Sequence, residues 1–204
     1  MRKPSFITRI TTQHVLAAYH QGIFPMADGL DGRINWYTAS RRALVPLDER
    51  FTVRRSLRQV LRKSRLGVTV NTAFDEVIRA CARHHDKQAD GVWLSEQMIA
   101  LYLGLHREGH THSVEVWREG RLIGGLYGVA IGAAFCGESM FSRESYASQI
   151  ALVYLVERLR EHSFELLDAQ IMSPHLTQFG AYEVAHEEYL ELLAKALQKE
   201  RQFA

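Results

Sequence analysis

Cysteine is scarce in this chain, and the long apolar runs that would hold it in a membrane are missing. Its two thiols, Cys81 and Cys136, stand far apart in apolar surroundings, and neither has a Cys-x-x-Cys partner. A disulfide framework is excluded on that count, and reduced thiols in a cytoplasmic protein are expected. No segment approaches the ~18 continuous apolar residues of a membrane span. The opening MRKPSFITRITTQHVL carries no apolar stretch of signal-peptide length behind its basic residues, so a soluble protein is expected. Charge of one sign is also lacking: the formal net charge is +2, and any nucleic-acid-binding surface must therefore be local. Internal repeats and low-complexity segments are absent as well.

Common catalytic signatures are missing too. Gly137-Glu138-Ser139 lacks the G-x-S-x-G elbow of a serine nucleophile. The glycine-dense GGLYGVAIGA follows a strand without opening a helix, which fails the context of a dinucleotide site and of a P-loop. Such glycines thin a sheet or let a substrate approach backbone. His106, His110 and His112 bracket Gly109, with His84 and His85 upstream. No helix with a companion acid goes with them, so surface histidines are the reading and no metal is expected.

What is present is enough apolar sequence for a core. With 204 residues, 47% of them apolar, the chain can build one core with a small appended lobe. Thr11 to Gln21 reads as a short helix, capped by Thr11 or Thr12 and stopped by Gly22. GIFPMADGLDG reads as an irregular loop, and with RINWYTASRRALVPLD it makes an N-terminal lobe, assigned to residues 1–41. The remainder, 42–204, begins with a two-faced helix over Thr52 to Ser64 and a strand over Gly67 to Asn71. Helices over Ala73 to Arg83 and Ser95 to Glu108 follow, then a meander from His112 to Phe141 with a turn at Glu119-Gly120. A long helix over Ser145 to His162, a strand over Phe164 to Ile171 and a helix over Glu187 to Lys199 complete it. Helices flanking a mainly antiparallel sheet, with one helix crossing to a late strand, define an α+β fold.

Three places could carry chemistry. In AFCGESMFS, Glu138 is an acid in an otherwise apolar and small-residue run, either solvated at a strand end or held for a reaction. In LLDAQI, Asp168 and Gln170 stand two apart in a strand and so share a face. They mark either the edge of the core or a paired acceptor and amide able to orient a nucleophile or polarise a carbonyl. From Arg54 to Arg65, the first long helix and the residue beyond it, the chain carries six basic residues and no acid, which is either a solvated face or a surface for a phosphate-rich partner. Trp93 in DGVWLS is a core anchor or a stacking platform.

Taken together, YHQGIFPM (Tyr19 to Met26), the block from His112 to Leu152 and LLDAQIMSPHLTQFGA (Leu166 to Ala181) resemble the leucyl/phenylalanyl-tRNA-protein transferase family over nearly the whole chain. The resemblance implies an N-terminal lobe followed by a domain of the GCN5-related acetyltransferase (GNAT) type. It also implies a reaction in which leucine or phenylalanine passes from Leu-tRNA or Phe-tRNA to the N-terminal amine of a protein beginning with Arg or Lys. The acceptor gains a destabilising N-terminus, and no cofactor is implied beyond the aminoacyl-tRNA co-substrate. Acetyltransferases of this fold grip coenzyme A with a Q/R-x-x-G-x-G/A turn, and none precedes the Ser145 helix.

By the same resemblance the catalytic pair is Asp168 and Gln170, the carboxylate holding the glutamine whose oxygen engages the attacking amine, with Asp168 as direct base the alternative. Glu138 lies beside the aminoacyl-adenosine pocket and Trp93 contacts the adenosine. Met26 stands where some members carry a tryptophan. Leu126, Phe135, Gly137, Met140, Leu152, Leu155 and Leu167 match positions lining the amino-acid pocket. Arg55, Arg58, Arg62 and Lys63 match the tRNA-binding surface. Glu187 and Glu188 occupy positions where basic residues are expected before Tyr189. The expected state is a monomer. A coenzyme A-dependent N-acyltransferase, a related transferase with altered donor or acceptor specificity, and an inert tRNA- or N-degron-binding module remain the competing readings.

Overall fold

The computed structural model describes residues 10–27, 33–63, 65–85 and 94–204, without the side chains of His84 and His85. Trp93 therefore lies outside the described residues. Helix α1 (Thr12–Tyr19) starts where Thr11 accepts a bond from the His14 amide, and the His14 ring returns one to the Thr11 amide. This reciprocal cap satisfies two of the unpaired first-turn donors. The segment expected as an irregular loop is instead partly a strand. β1 (Phe24–Ala27) pairs antiparallel with β2 (Ile34–Tyr37) in a ribbon of its own, with Pro25 opposite Trp36. A proline is tolerated there because a two-stranded ribbon consists of edges, where its missing N–H need not serve a second neighbour.

β3 (Arg41–Val45) joins the main sheet, and the basic helix α2 (Arg55–Lys63) follows. Next come β4 (Gly67–Val70), α3 (Phe74–His85) and α4 (Glu96–Arg107), the last capped by Ser95. The meander consists of β5 (Thr111–Arg118), β6 (Arg121–Ile131) and β7 (Ala134–Ser142). Helix α5 (Ala147–Glu161) crosses to β8 (Leu166–Gln170). A short helix α6 (Pro174–Thr177), β9 (Tyr182–Ala185) and α7 (His186–Leu197) close the chain.

Among the described residues the main sheet has seven strands in the order β4-β5-β6-β7-β8-β3-β9. β7 and β8 are parallel, as a helical crossover requires, and the other neighbours are antiparallel. The expected α+β class is the one observed. Each face carries its own core, because successive side chains of a strand point to opposite sides. Cys136 and Leu166 pack on the side of α1, α3, α4 and α7. Phe135 and Leu167, their neighbours in sequence, pack on the side of α2 and α5.

Among the described residues three register shifts break that alternation; one, at Val116/Trp117, lies between β5 and β6, and the other two flank the β7–β8 centre. On β7, Ser139 pairs with Tyr127 and Gly137 with Gly128, so Glu138 has no partner across the ladder. On β8, Gln170 pairs with Ala43 and Asp168 with Leu44, which leaves Ala169 as the extra residue. Bulges of this kind re-aim a side chain. Gly128, opposite the β7 bulge, is obligatory by contact: a Cβ there would stand 2.4 Å from both the Cys136 carbonyl oxygen and the Phe135 ring.

Candidate active site

Asp168 is buried in the centre of the sheet and is saturated with donors. Arg42 of β3 approaches side-on, its Nη2 2.6 Å from Oδ2 and its Nε 2.9 Å from Oδ1, and both side chains have no solvent exposure. Tyr189 of α7 donates its hydroxyl to Oδ2 at 2.9 Å, and the Gln170 backbone N–H donates to Oδ1 at 2.8 Å. Burial works to lower the Arg42 pKa, but the bond to Asp168 and its charge overcome that and hold the guanidinium protonated. The same guanidinium lies over the rings of Phe24 and Tyr189 at 4.8 and 4.4 Å, and its Nη1 donates to the Gly22 carbonyl at 3.0 Å. Gly22 offers that carbonyl from a left-handed turn, φ +73°, with Leu190 and Tyr189 too close for a Cβ.

Glu138 is held differently. The β7 bulge points it at the end of β8, where its Oε1 accepts from Gln170 Nε2 at 2.7 Å. Its Oε2 accepts from the Tyr102 hydroxyl of α4 at 2.9 Å, and Tyr102 in turn contacts the Tyr19 hydroxyl of α1 at 2.8 Å. Burial pushes the Glu138 carboxyl up to about 7, against the bonds from Tyr19, Tyr102 and Gln170, with the Asp168 charge adding to the rise. Gln170 sits at φ 61°, a conformation unusual for a side chain larger than glycine, at the end of its strand. One N–H of its amide is committed to Glu138, which leaves Oε1 and the second N–H to offer a ligand. The expected direct bond between the Asp168 carboxylate and the Gln170 side chain is replaced by one to the Gln170 main chain, because the bulge carries the side chain across to Glu138.

One cavity of about 530 Å³ opens beside this network. Met26, Leu126, Gly137, Glu138, Met140, Leu152, Leu155, Leu167, Asp168 and Gln170 all line it, and the structure thus brings those sequence candidates together. Phe135 is not among the lining residues: it is fully buried behind them, its ring 5.1 Å from that of Phe203. Sequence reasoning missed Arg42, Tyr189, Tyr19 and Tyr102. Arg42 and Tyr189 lie in segments read as a lobe junction and a closing helix, and their signal is only that each must be paired once buried.

The basic residues lie elsewhere. Arg55, Arg58, Arg62 and Lys63 line a separate shallow groove on the exposed side of α2, whose Leu57 is buried. Among the described residues the histidines do not converge: His106 Nδ1 donates to the Thr111 carbonyl and its ring stacks on Phe74, while His112 bonds Asn71. Among the described residues no group of three or more His, Cys, Asp or Glu side chains is placed to hold a metal.

Comparison with known proteins is consistent across the chain. The profile of the leucyl/phenylalanyl-tRNA protein transferase family matches residues 44–194, and that of the same family's N-terminal domain matches residues 8–40. The chain is 50% identical over 192 residues to a leucyl/phenylalanyl-tRNA–protein transferase of Akkermansia muciniphila, covering 94% of this chain and 98% of the relative. A relative of the same name from Herpetosiphon aurantiacus is 47% identical over 190 residues, covering 93% and 96%. Among solved structures, L-PGS from Bacillus licheniformis aligns with a TM-score of 0.48 at 12% identity, over 91% of this chain and 76% of that one. A ribosomal-protein-alanine N-acetyltransferase from Brucella melitensis aligns with a TM-score of 0.37 at 14% identity, over 56% and 84%.

Two outcomes follow from the geometry. Arg42→Leu strands a buried carboxylate and is expected to lower stability by about 3–5 kcal/mol in chemical denaturation. A loss under about 1 kcal/mol would show that the pair is not structural. Glu138 has its folded pKa raised from 4.5 to about 7, so the stability it contributes is present below pH 4.5 and lost as pH rises through 7. The melting temperature of Glu138→Gln minus that of the wild type is therefore expected to increase between pH 5 and pH 8. A difference that stays flat would contradict the assignment.

Proposed function

This chain belongs to the leucyl/phenylalanyl-tRNA protein transferase family, and from that premise we propose that its cavity takes the aminoacyl end of Leu-tRNA or Phe-tRNA and passes the amino acid to the N-terminal α-amine of a protein beginning with Arg or Lys. The acceptor acquires a destabilising N-terminus and is marked for degradation. The amine nitrogen attacks the ester carbonyl carbon, the C–N bond forms and the C–O bond to the terminal ribose breaks. The ribose oxygen leaves with the proton that the amine gives up.

The mechanism rests on one observation, the bond from Gln170 Nε2 to Glu138. With Nε2 turned toward Glu138, the amide presents Oε1 to the cavity, where it accepts from the attacking amine and orients the nitrogen lone pair toward the ester. Asp168 acts through Gln170 as a positioning residue. Its oxygens already receive Arg42, Tyr189 and the Gln170 amide, an arrangement that favours this role over proton abstraction. A strong base is not required, because an α-amine with pKa near ~8 is partly free at neutral pH and orientation supplies much of the acceleration.

Leu126, Met140, Leu152, Leu155 and Leu167 form the apolar wall for the leucine or phenylalanine side chain. Such a wall separates similar hydrophobes by about 1–3 kcal/mol per methylene. Met26 adds a polarisable thioether contact, and Trp93 is assigned to the adenosine. Arg55, Arg58, Arg62 and Lys63 hold the tRNA phosphates. In this reading residues 1–41 form a lobe that supplies Tyr19 and the Gly22 carbonyl, and residues 42–204 form the transferase domain. The protein works as a monomer in the cytoplasm, with aminoacyl-tRNA as its sole activated co-substrate.

The test supplies labelled Leu-tRNA with a model protein beginning with Arg, beside a Glu-initiated protein and acetyl-CoA. Label is expected only on the Arg terminus and only from Leu-tRNA. Gln170→Ala is expected to lower kcat by about a hundredfold, and Arg58→Glu with Arg62→Glu to raise KM for Leu-tRNA in a salt-dependent manner. Label on the Glu-initiated protein would overturn the acceptor assignment, and unchanged turnover by Gln170→Ala would overturn the mechanism.

A further inference from the structure

A second depression lies beside the cavity, between Arg54 and α6. It is lined by Arg54, Met172, Ser173, Pro174, Thr177 and Gln178, and Ser173 lines the cavity as well. The two depressions therefore adjoin at Ser173. Arg54 also immediately precedes α2, whose Arg55, Arg58, Arg62 and Lys63 line the basic groove. α6 is the wall between: His175 and Leu176 line the cavity, while Pro174, Thr177 and Gln178 line the outer groove.

We infer that this groove holds the phosphodiester-linked nucleotides that precede the terminal adenosine of the donor, a subsite distinct from both the aminoacyl cavity and the basic face of α2. The inference rests on the transferase reading above and adds the path of the donor strand to it. Three features select the occupant. Arg54 is exposed and, among the described residues, has no acidic partner, so its planar fork of donors is available to a phosphate.

Two of the other polar side chains of the groove are engaged internally, while the Ser173 hydroxyl makes no cap bond to α6. Thr177 donates to the Ser173 carbonyl and Gln178 to the His175 carbonyl. What remains is one cation and the Ser173 hydroxyl beside the apolar surfaces of Met172 and Pro174, which suits a backbone phosphate with an adjacent base laid flat. An acceptor peptide beginning with Arg or Lys is itself cationic, and Arg54 repels it.

Three donors separate the contributions: Leu-tRNA, the trinucleotide CCA esterified with leucine, and leucyl-adenosine, which has no phosphodiester. The ratio of kcat/KM for leucyl-CCA over leucyl-adenosine is expected to fall about tenfold in Arg54→Glu. Thr177→Asp, which adds negative charge from the opposite wall, is expected to lower the same ratio. Arg58→Glu should instead lower the ratio of Leu-tRNA over leucyl-CCA. An Arg54→Glu ratio equal to that of the wild type would overturn the subsite while leaving the transferase reading intact. So would a wild-type protein that uses leucyl-CCA no better than leucyl-adenosine. A wild-type protein that transfers leucine from none of the three would overturn the transferase reading and the subsite with it.

Discussion

A buried ion pair organises this molecule. Arg42 and Asp168 stand 126 positions apart in sequence and meet without solvent between them. A charge so placed is tolerated only when its remaining donors and acceptors are filled. That requirement reaches outward: Arg42 must find the Gly22 carbonyl, Asp168 must find Tyr189 and the Gln170 amide, and each partner sits on a different element. The turn after α1, strands β3 and β8 and helix α7 are held in one arrangement by a single polar unit. An apolar pair of similar volume could fill the same space. It would not specify which turn lies against which strand, because hydrophobic contact is indifferent to direction.

The polar network also forms a loop through the chain. It leaves the first segment at Tyr19, passes through Tyr102, Glu138 and Gln170, reaches Asp168 through the main chain, and returns at Gly22 by way of Arg42. The N-terminal segment is thus tied to the cavity at two points three residues apart. Because the two ends of the path are set by α1 and its terminating glycine, a shift of that helix would disturb both carboxylates together. The bulges of β7 and β8 serve the same arrangement, one turning Glu138 and the other turning Gln170 until their side chains meet.

How much of this was legible in the sequence depended on range. The helices and the meander could be read because hydrophobic period and caps are local properties, as at Ser95 and at the Glu119-Gly120 turn. The placement of β3 between β8 and β9 could not, since Arg41–Val45 has no period that tells a central strand from a junction. Pro25 argued for a loop, and only the ribbon's isolation makes a strand acceptable there. Glu138, Asp168 and Gln170 stood out as polar residues in apolar runs, but strict alternation would have put Asp168 and Gln170 side by side. The bulge at Ala169 is invisible in composition, and it is what sends the Gln170 side chain to Glu138. Arg42 and the tyrosines gave no signal because their meaning comes from partners far along the chain.

The two carboxylates illustrate how surroundings divide labour between like groups. Asp168 is met by a full cation and by further donors, so the negative form is the one its site is built around. Glu138 has hydroxyl and amide donors but, among the described residues, no cation as a hydrogen-bond partner, and burial raises it to about 7. As long as Glu138 is ionised it is purely an acceptor, and the neighbouring glutamine must turn its nitrogen toward it. Once protonated, it can donate to the amide oxygen and the constraint on Gln170 is lifted. The orientation of an amide that lines the cavity is therefore set by the charge of its neighbour. In the mechanism proposed above, that charge changes in the same pH range in which the attacking amine begins to lose its proton, so nucleophile and orienting amide become competent together.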